Sequence, residues 1–468
     1  MSSLSGRGAA AVFGNRRFFR MLLTLALPIV VQNLLVSSLN MVDTLMIGVI
    51  GENEVAAVGA ANQYFFLLQM AINGIASGCS VFISQYWGAG NRESIHKILG
   101  IGIISMAAAC VLFTAVALAL PSHILGIFSR DPAVRALGAD YLVIVCLSYL
   151  PTGLSFLFSN AQRSVGNALL PMLVSLGAIL TNTGLNYLLI FGKLGLPVLG
   201  VKGAAVATLI ARLLECVVLV AVSLRRSSPL RGAARSYVGF NRGYVKRAYA
   251  TILPILLNEG CWGLGFVLYT VAYGFIGTHA LAAANITNTV QNLFMVLCIS
   301  IASAALVMIG NQIGMGREHV ARRYAVHFSI LAVALGVVLG AALFFCAPLI
   351  PRLFNITPEA AAASTAILRI YGVIFPVRMY NTLIIIGVLR GGGDAGYALG
   401  AEGITMWCIG VPLAFLGALA FRLPVEQVAL LICAEEVAKC VFCALRIKSG
   451  RWLRSVTAPA AERNAPNP

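Results

Sequence analysis

Twelve apolar stretches, each long enough to cross a bilayer, follow one another along this chain and leave few folds open. They fall near residues 22–48, 56–86, 98–120, 139–161, 169–192 and 203–224, then 250–276, 281–313, 325–350, 365–389, 397–420 and 425–445. At about 1.5 Å of rise per residue, roughly 20 apolar residues cross the hydrocarbon. A chain of 468 residues that is 59% hydrophobic and 10% charged, with a mean hydropathy of +0.90, cannot be kept in solution. The sequence therefore predicts an all-α polytopic membrane protein with twelve transmembrane helices.

The formal net charge of +17 invites a nucleic-acid reading. The Lys and Arg residues lie instead in short tracts between apolar spans, where they orient a membrane protein, so no nucleic-acid partner is expected. Counted over alternate connections, one side holds 23 basic residues: Arg7, Arg16, Arg17, Arg20, Arg92, Lys97, Arg163, seven from Arg225 to Arg247, Arg317, Arg322, Arg323, Arg390 and five from Arg446 to Arg463. The other holds six: Arg130, Arg135, Lys193, Lys202, Arg352 and Arg422. That imbalance places both termini and the long central connection in the cytoplasm of a plasma-membrane protein. All eleven cysteines lie in apolar runs and read as reduced core residues rather than a disulfide framework. No H-E-x-x-H or paired-aspartate motif is present and the five histidines are scattered, so the chain does not read as an enzyme.

The first span, LLTLALPIVVQNLLVSSLNMVDTLMIG from Leu22 to Gly48, is interrupted by Pro28 and Asp43 and reads as a kinked or tilted helix. Gln32, Asn33, Asn40 and Asp43 would be costly against lipid. A carboxylate at a helix centre costs about 2.5 to 3.5 kcal/mol on insertion scales, so Asp43 is expected to face a protein interior or water; capping the outer helix end is the simpler role.

The chain also repeats itself. Pro28 and Pro254, Gly51 and Gly277, Gly88 and Gly314, and Gly90 and Gly316 are all separated by one and the same offset, and between them IAS at Ile75 recurs at Ile301. QRSVGNA from Gln162 answers LRGGGDA from Leu389, one residue out of step. Two six-helix lobes follow, and because six is even the repeat is parallel. The expected organisation is a cytoplasmic segment at 1–20, an amino-terminal lobe at 21–224, a linker at 225–249, a carboxyl-terminal lobe at 250–446 and a cytoplasmic tail at 447–468. Two such lobes suit a transporter whose substrate path lies at their interface, and argue against a ring-shaped channel.

In these residues the chain resembles the multidrug and toxic compound extrusion family: Pro28, Gln32 and VDTLMIG in the first span, then QYWGAGN from Gln85, GNALLPM from Gly166, NYLLIFG from Asn186, GAAVAT from Gly203 and LRGGGD from Leu389. The resemblance implies export of amphipathic, often cationic organic compounds in exchange for H⁺ or Na⁺, by alternating access between lobes, with no cofactor beyond the coupling ion. It also implies a cation site at Asp43, completed by Asn182, Asn186 and Thr208, with Na⁺ as one occupant. Asn182 and Asn186 are four apart and share a helical face, where their amide oxygens can receive a cation. Interhelical hydrogen bonding is their other role, at about 0.6 kcal/mol each. Glu259 matches a glutamate that some members use in a sodium site of the second lobe, but where those members carry an aspartate on the tenth helix this chain has Met379 beside Arg378.

Gln32, Glu259 and Arg378 are the remaining candidates, for a substrate cavity or an internal ion pair. Depths of roughly 13 and 18 Å along their helices predict that Glu259 pairs with Arg378, Glu436 being the competitor. Glu402, roughly 8 Å deep, is shallow, and Arg212 with Glu215 and Glu435 with Lys439 can pair on their own helices. The same superfold could instead serve a flippase or exporter of a lipid-linked or anionic substrate, which would need several cavity-facing cations. A small organic substrate and the bilayer are the expected partners of a monomer. If the basic side is cytoplasmic, cysteines introduced at Ser227 and Ser455 should take up no impermeant thiol reagent from outside intact cells. Labelling above that of the unsubstituted protein reverses the orientation.

Overall fold

A computed structural model describes residues 16–354 and 356–457, and only the backbone at Asn40. Residues 1–15 of the cytoplasmic segment expected at 1–20, the tail beyond residue 457 and the side chain of Asn40 lie outside the described residues. Twelve long helices are present among those described. They are α1 Arg16–Gly48, α2 Glu52–Gly88, α3 Arg92–Ala119, α4 Pro132–Ser164, α5 Leu169–Phe191, α6 Gly200–Ser223, α7 Arg242–Ile276, α8 Thr278–Gly314, α9 Glu318–Cys346, α10 Pro358–Leu389, α11 Ala395–Ala420 and α12 Val425–Ser449. The first eleven are long and apolar enough to cross a membrane. The last, of 25 residues, carries Glu426, Glu435, Glu436 and Lys439 and is less apolar because part of its charge is turned inward.

Helix starts lie several residues before the apolar stretches because polar capping residues extend them. The Asn91 side chain accepts from Ser94 N at 3.0 Å, Asp131 from Ala133 N at 2.8 Å with Pro132 following, and Thr357 from Ala360 N at 3.4 Å with Pro358 following.

The repeat seen in the sequence is a repeat of local structure. α2 and α8 are both 37 residues long, and their starts stand at the offset that separates Pro28 from Pro254. Each of these two helices ends on a left-handed glycine, Gly90 at φ 71° and Gly316 at φ 70°. The next amide then reaches back over the last turn, Asn91 N to Tyr86 O and Arg317 N to Gln312 O, both at 2.9 Å. Gly166 and Gly393 end α4 and α10 in the same way, at φ 90° and 83°, but one residue further apart than that offset. α4 and α10 themselves start in step, so the stretch from Pro358 to Gly393 holds one residue more than that from Pro132 to Gly166, and a π-helical turn at Leu383–Leu389 takes it up.

The chain divides into two compact units, Leu27–Leu256 and, with the residues before Leu27, the part from Leu257 onward. They are called here the amino and carboxyl lobes. Within the amino lobe α2 approaches α7 closely, because Gly74 and Gly78 face Leu256 and Ile252; a Cβ on Gly74 would lie 2.6 Å from the Leu256 Cα. In the carboxyl lobe Gly336 and Gly340 of α9 likewise face Pro376 and Gly372 of α10. The central connection is docked on α3. Tyr237 donates to Leu230 O at 2.6 Å and accepts from Gly232 N at 3.1 Å, its ring lies beside His96, and its backbone rests on Gly100. A Cβ at Gly100 would collide with the Tyr237 carbonyl, so Gly100→Ala should lift the connection and speed tryptic cleavage between Arg225 and Arg235 several-fold. An unchanged digestion rate would show that the docking is loose.

Candidate functional site

Helix geometry sets the first site. Gln32 and Asp43 are eleven residues apart on α1, close to three turns, and so share a face. Asn182 and Asn186 come from α5, and Thr208 and Arg212 from α6, each pair four residues apart and on one face. The structure brings the four predicted cation-site residues onto one hydrogen-bond chain. Asn186 Nδ2 donates to Asp43 Oδ1 at 2.6 Å and to Asn182 Oδ1 at 3.1 Å, and Asn182 Nδ2 donates to Thr208 Oγ1 at 3.4 Å. Both asparagines are buried, while Asp43 is half-buried, and Arg212 is within electrostatic range of it. Asn186 Oδ1 is buried with no hydrogen-bond partner among the described residues. One carboxylate, two amide oxygens and a hydroxyl form an all-oxygen donor set suited to a proton or a hard cation.

A second chain lies along the same seam. Arg163 Nη2 donates to Gln32 Oε1 at 2.5 Å, Gln32 Nε2 to Ser175 Oγ at 2.7 Å, and Ser175 Oγ to Glu215 Oε1 at 2.7 Å. Arg212 pairs with Glu215 at 2.8 Å, as their spacing predicts. Gln32 is thus held inside the amino lobe by a buried guanidinium.

The carboxyl lobe corrects one expectation. Glu259 does not pair with Arg378; its partner is Arg390, at 2.8 Å. Arg378 donates to Gln291 Oε1 at 2.5 Å and lies 3.8 Å from Glu436, the competitor. Helix depth gives a height but no direction around the axis, and Arg390 turns inward from the end of α10, only 3% exposed, where its position reads as a loop charge. Glu402, though only seven residues into α11, is not solvent-facing. It is buried, accepts from Asn258 Nδ2 at 2.9 Å and lies 3.4 Å from Lys439, which pairs with Glu435 at 2.7 Å. Tyr269 donates its hydroxyl to the other oxygen of Glu435. Arg390 Nη2 completes the chain by donating to Asn258 Oδ1 at 2.5 Å.

The two lobes build these chains from corresponding residues. Gln32 and Asn258 stand at the repeat offset, and Arg163 with Arg390 and Ser175 with Glu402 at that offset plus the one residue added in α10. Arginine to amide to oxygen acceptor is therefore made twice, continuing to Glu215 in one lobe and Lys439 in the other. The repeat offset was the signal that could have found Arg390, since it equates Arg390 with Arg163. The residue that corresponds to Asp43, by the offset that relates Gln32 to Asn258, is Tyr269.

Comparison with known proteins agrees with this duplication. A family model described as MatE matches residues 28–188 and again residues 254–416. The uncharacterized transporter YisQ of Bacillus subtilis is 27% identical over 441 residues, covering 92% of this chain and 95% of its own. A probable multidrug resistance protein NorM of Bradyrhizobium diazoefficiens is 30% identical over 418 residues, covering 86% of each chain. Among solved structures, the Vibrio cholerae MATE transporter VcmN in its bent form superposes with a TM-score of 0.83 at 19% identity, covering 93% of this chain and 97% of its own.

Replacing one partner of the Glu259–Arg390 pair should cost about 3 to 5 kcal/mol, because the other charge stays buried. In thermal or denaturant unfolding, Glu259→Gln and Arg390→Gln should therefore each destabilise strongly, and the double variant should lose less than their sum. Glu259→Gln with Arg378→Gln should instead add to within about 0.5 kcal/mol. The opposite pattern would return Glu259 to Arg378.

Proposed function

Because the chain belongs to the MatE family of membrane transporters, we propose that it is a secondary antiporter exporting amphipathic, often cationic organic compounds, drugs and toxins among them. The exchange is for H⁺ or Na⁺ across the plasma membrane, by alternating access, in a monomer with both termini in the cytoplasm. The observation that carries the coupling is the Asp43–Asn186–Asn182–Thr208 chain. Asp43 has an amide partner but no ion-pair partner among the described residues, whereas the lobe's buried Glu215 is paired with Arg212, so of these two interior acids Asp43 is the one that an incoming cation can neutralise. The buried Asn186 oxygen, which has no hydrogen-bond partner among the described residues, supplies a second ligand atom.

A cation bound there changes which helix faces can stay close, since a charged and a neutral Asp43 ask for different partners. Substrate and ion then oppose each other by reciprocal linkage. The reading as an exporter of a lipid-linked or anionic substrate finds less support. Interior cations that would hold a polyanion are already engaged: Arg163 with Gln32, Arg212 with Glu215, Arg378 with Gln291, Arg390 with Glu259, and Lys439 with Glu435.

Asp43→Asn should insert and fold normally, yet lose gradient-driven efflux at least tenfold in membrane vesicles. Imposing pH and sodium gradients separately on the unsubstituted protein identifies the ion. Uphill transport at the normal rate in Asp43→Asn would reduce Asp43 to a cap on α1.

A further inference from the structure

The carboxyl lobe holds more buried carboxylate than its cations can pair. Glu259 has Arg390, and Glu436 has Arg378 together with the Asn381 amide at 2.8 Å. Among the described residues, Glu402 and Glu435 have as a cation only Lys439 between them, at 3.4 and 2.7 Å. Their side chains are 11% and 3% exposed and that of Lys439 is 5% exposed, so all three are largely withdrawn from bulk solvent. Asp394 offers no help. It lies with Arg446 and Arg454, and Arg446 is seven residues, roughly 10 Å, further along α12 than Lys439. Two buried carboxylates beside one ammonium leave one negative charge over, and a buried group in that position neutralises rather than stay ionised.

The lobe is built around this cluster. Tyr269, which stands where the amino lobe has Asp43, donates to Glu435. α11 makes room for the contact: it passes through a π-helical turn at Met406–Gly410, and a Cβ on Gly410 would lie 2.7 Å from Glu435 Oε2 and against the Tyr269 hydroxyl. A narrow cleft of about 60 Å³, lined by Trp262, Tyr269, Tyr371, Arg378, Glu435 and Lys439 among others, opens onto the cluster. The other titratable groups facing it are Cys261 and Tyr273 of α7, Tyr371 and Arg378 of α10, and Cys433, Glu436, Cys440 and Cys443 of α12.

We propose that Glu402 and Glu435 share one exchangeable proton across Lys439, a proton site of the carboxyl lobe at the place that repeats the Asp43 site. The proton moves onto a carboxylate oxygen from water in the cleft and returns to it, with Lys439 charged throughout. The ligand is a proton rather than Na⁺ because the Lys439 ammonium already occupies the point between the two carboxylates where a metal ion would sit. The proton belongs to the pair and not to either residue.

The proposal stands apart from the Asp43 reading, and every variant in its test carries Asp43→Asn so that one can fail without the other. Infrared spectra of the purified full-length protein in lipid, recorded near neutral pH, read buried protonated carboxyls by their carbonyl-stretch band. The Asp43→Asn protein should show one such group. Adding Glu435→Gln should abolish the band, because Lys439 then has a single carboxylate. Adding Lys439→Met should double it, because both carboxylates then need a proton. Adding both changes should restore a single band, and this charge-compensated variant, which buries no net extra charge, keeps the test decisive should either single change fail to fold. A merely structural ion pair does not predict the sequence one, none, two, one. A band untouched by Glu435→Gln, one that stays single in Lys439→Met, its absence from the compensated variant, or one displaced by added NaCl would overturn the proposal.

Discussion

A guanidinium buried in a membrane-spanning lobe must find its partners inside that lobe, and this requirement organises both halves of the molecule. Arg163 and Arg390, 8% and 3% exposed, each end a long helix and each donate to an amide on the first helix of their half. The amide passes the bond to an oxygen on the fifth helix, and that oxygen meets a charge on the sixth. Four helices of each lobe are thereby joined through polar side chains instead of backbone, in a setting where apolar contact gives helices little preference for one another over lipid.

The frame is common to both halves, but the charge on it is not. Where the amino lobe passes from Ser175 to Glu215, the carboxyl lobe passes from Glu402 to Lys439, so an acid at the end of one chain becomes a base at the end of the other. The carboxylate on the first helix has also moved: Asp43 has become Tyr269, and the acid the tyrosine contacts is Glu435 on α12. Duplication fixed where hydrogen-bonding groups stand, and later substitution decided which of them carry charge. The amino lobe offers its cation a half-buried carboxylate among amides; the carboxyl lobe offers a cluster in which an ammonium is already in place.

What could be read from sequence follows the reach of its signals. Apolar run length gave the helices, and an unchanged offset across a proline and several glycines gave the repeat, because both are local requirements. Arg212 with Glu215 and Glu435 with Lys439 were legible for the same reason, being neighbours on one helical face. Glu259 with Arg390 was not. The two stand on different helices, α7 and the end of α10, and only the direction in which each faces from its helix brings them together. Glu402 looked shallow because depth was measured along the chain, while its burial comes from Asn258 and Lys439 on other helices. The connection after α6 reads only as a linker at 225–249, and composition gives no sign that glycine at position 100 lets Tyr237 rest directly on α3. Glycine marks a close approach as readily as a flexible tract.

The single residue by which the two halves fall out of step shows how closely the ion chemistry is tied to backbone geometry. α4 and α10 enter in the same register, Pro132 and Pro358 keeping the repeat offset, yet their arginines stand one residue further apart. One added residue turns everything after it by about 100° in a regular α-helix, which would carry Arg390 away from Asn258 and Glu259. The π-helical turn at Leu383–Leu389 absorbs that residue just before the arginine, so the guanidinium arrives on the face where Arg163 stands in the other half. α11 carries its own π-helical turn beside Glu435. Two of the three π-helical turns described in the carboxyl lobe therefore lie where a charged side chain must be aimed, while the third, at Leu416–Ala420, packs on the apolar Val428 and Leu431, and the pairing of the lobe's acids depends on the first two departures from ideal winding.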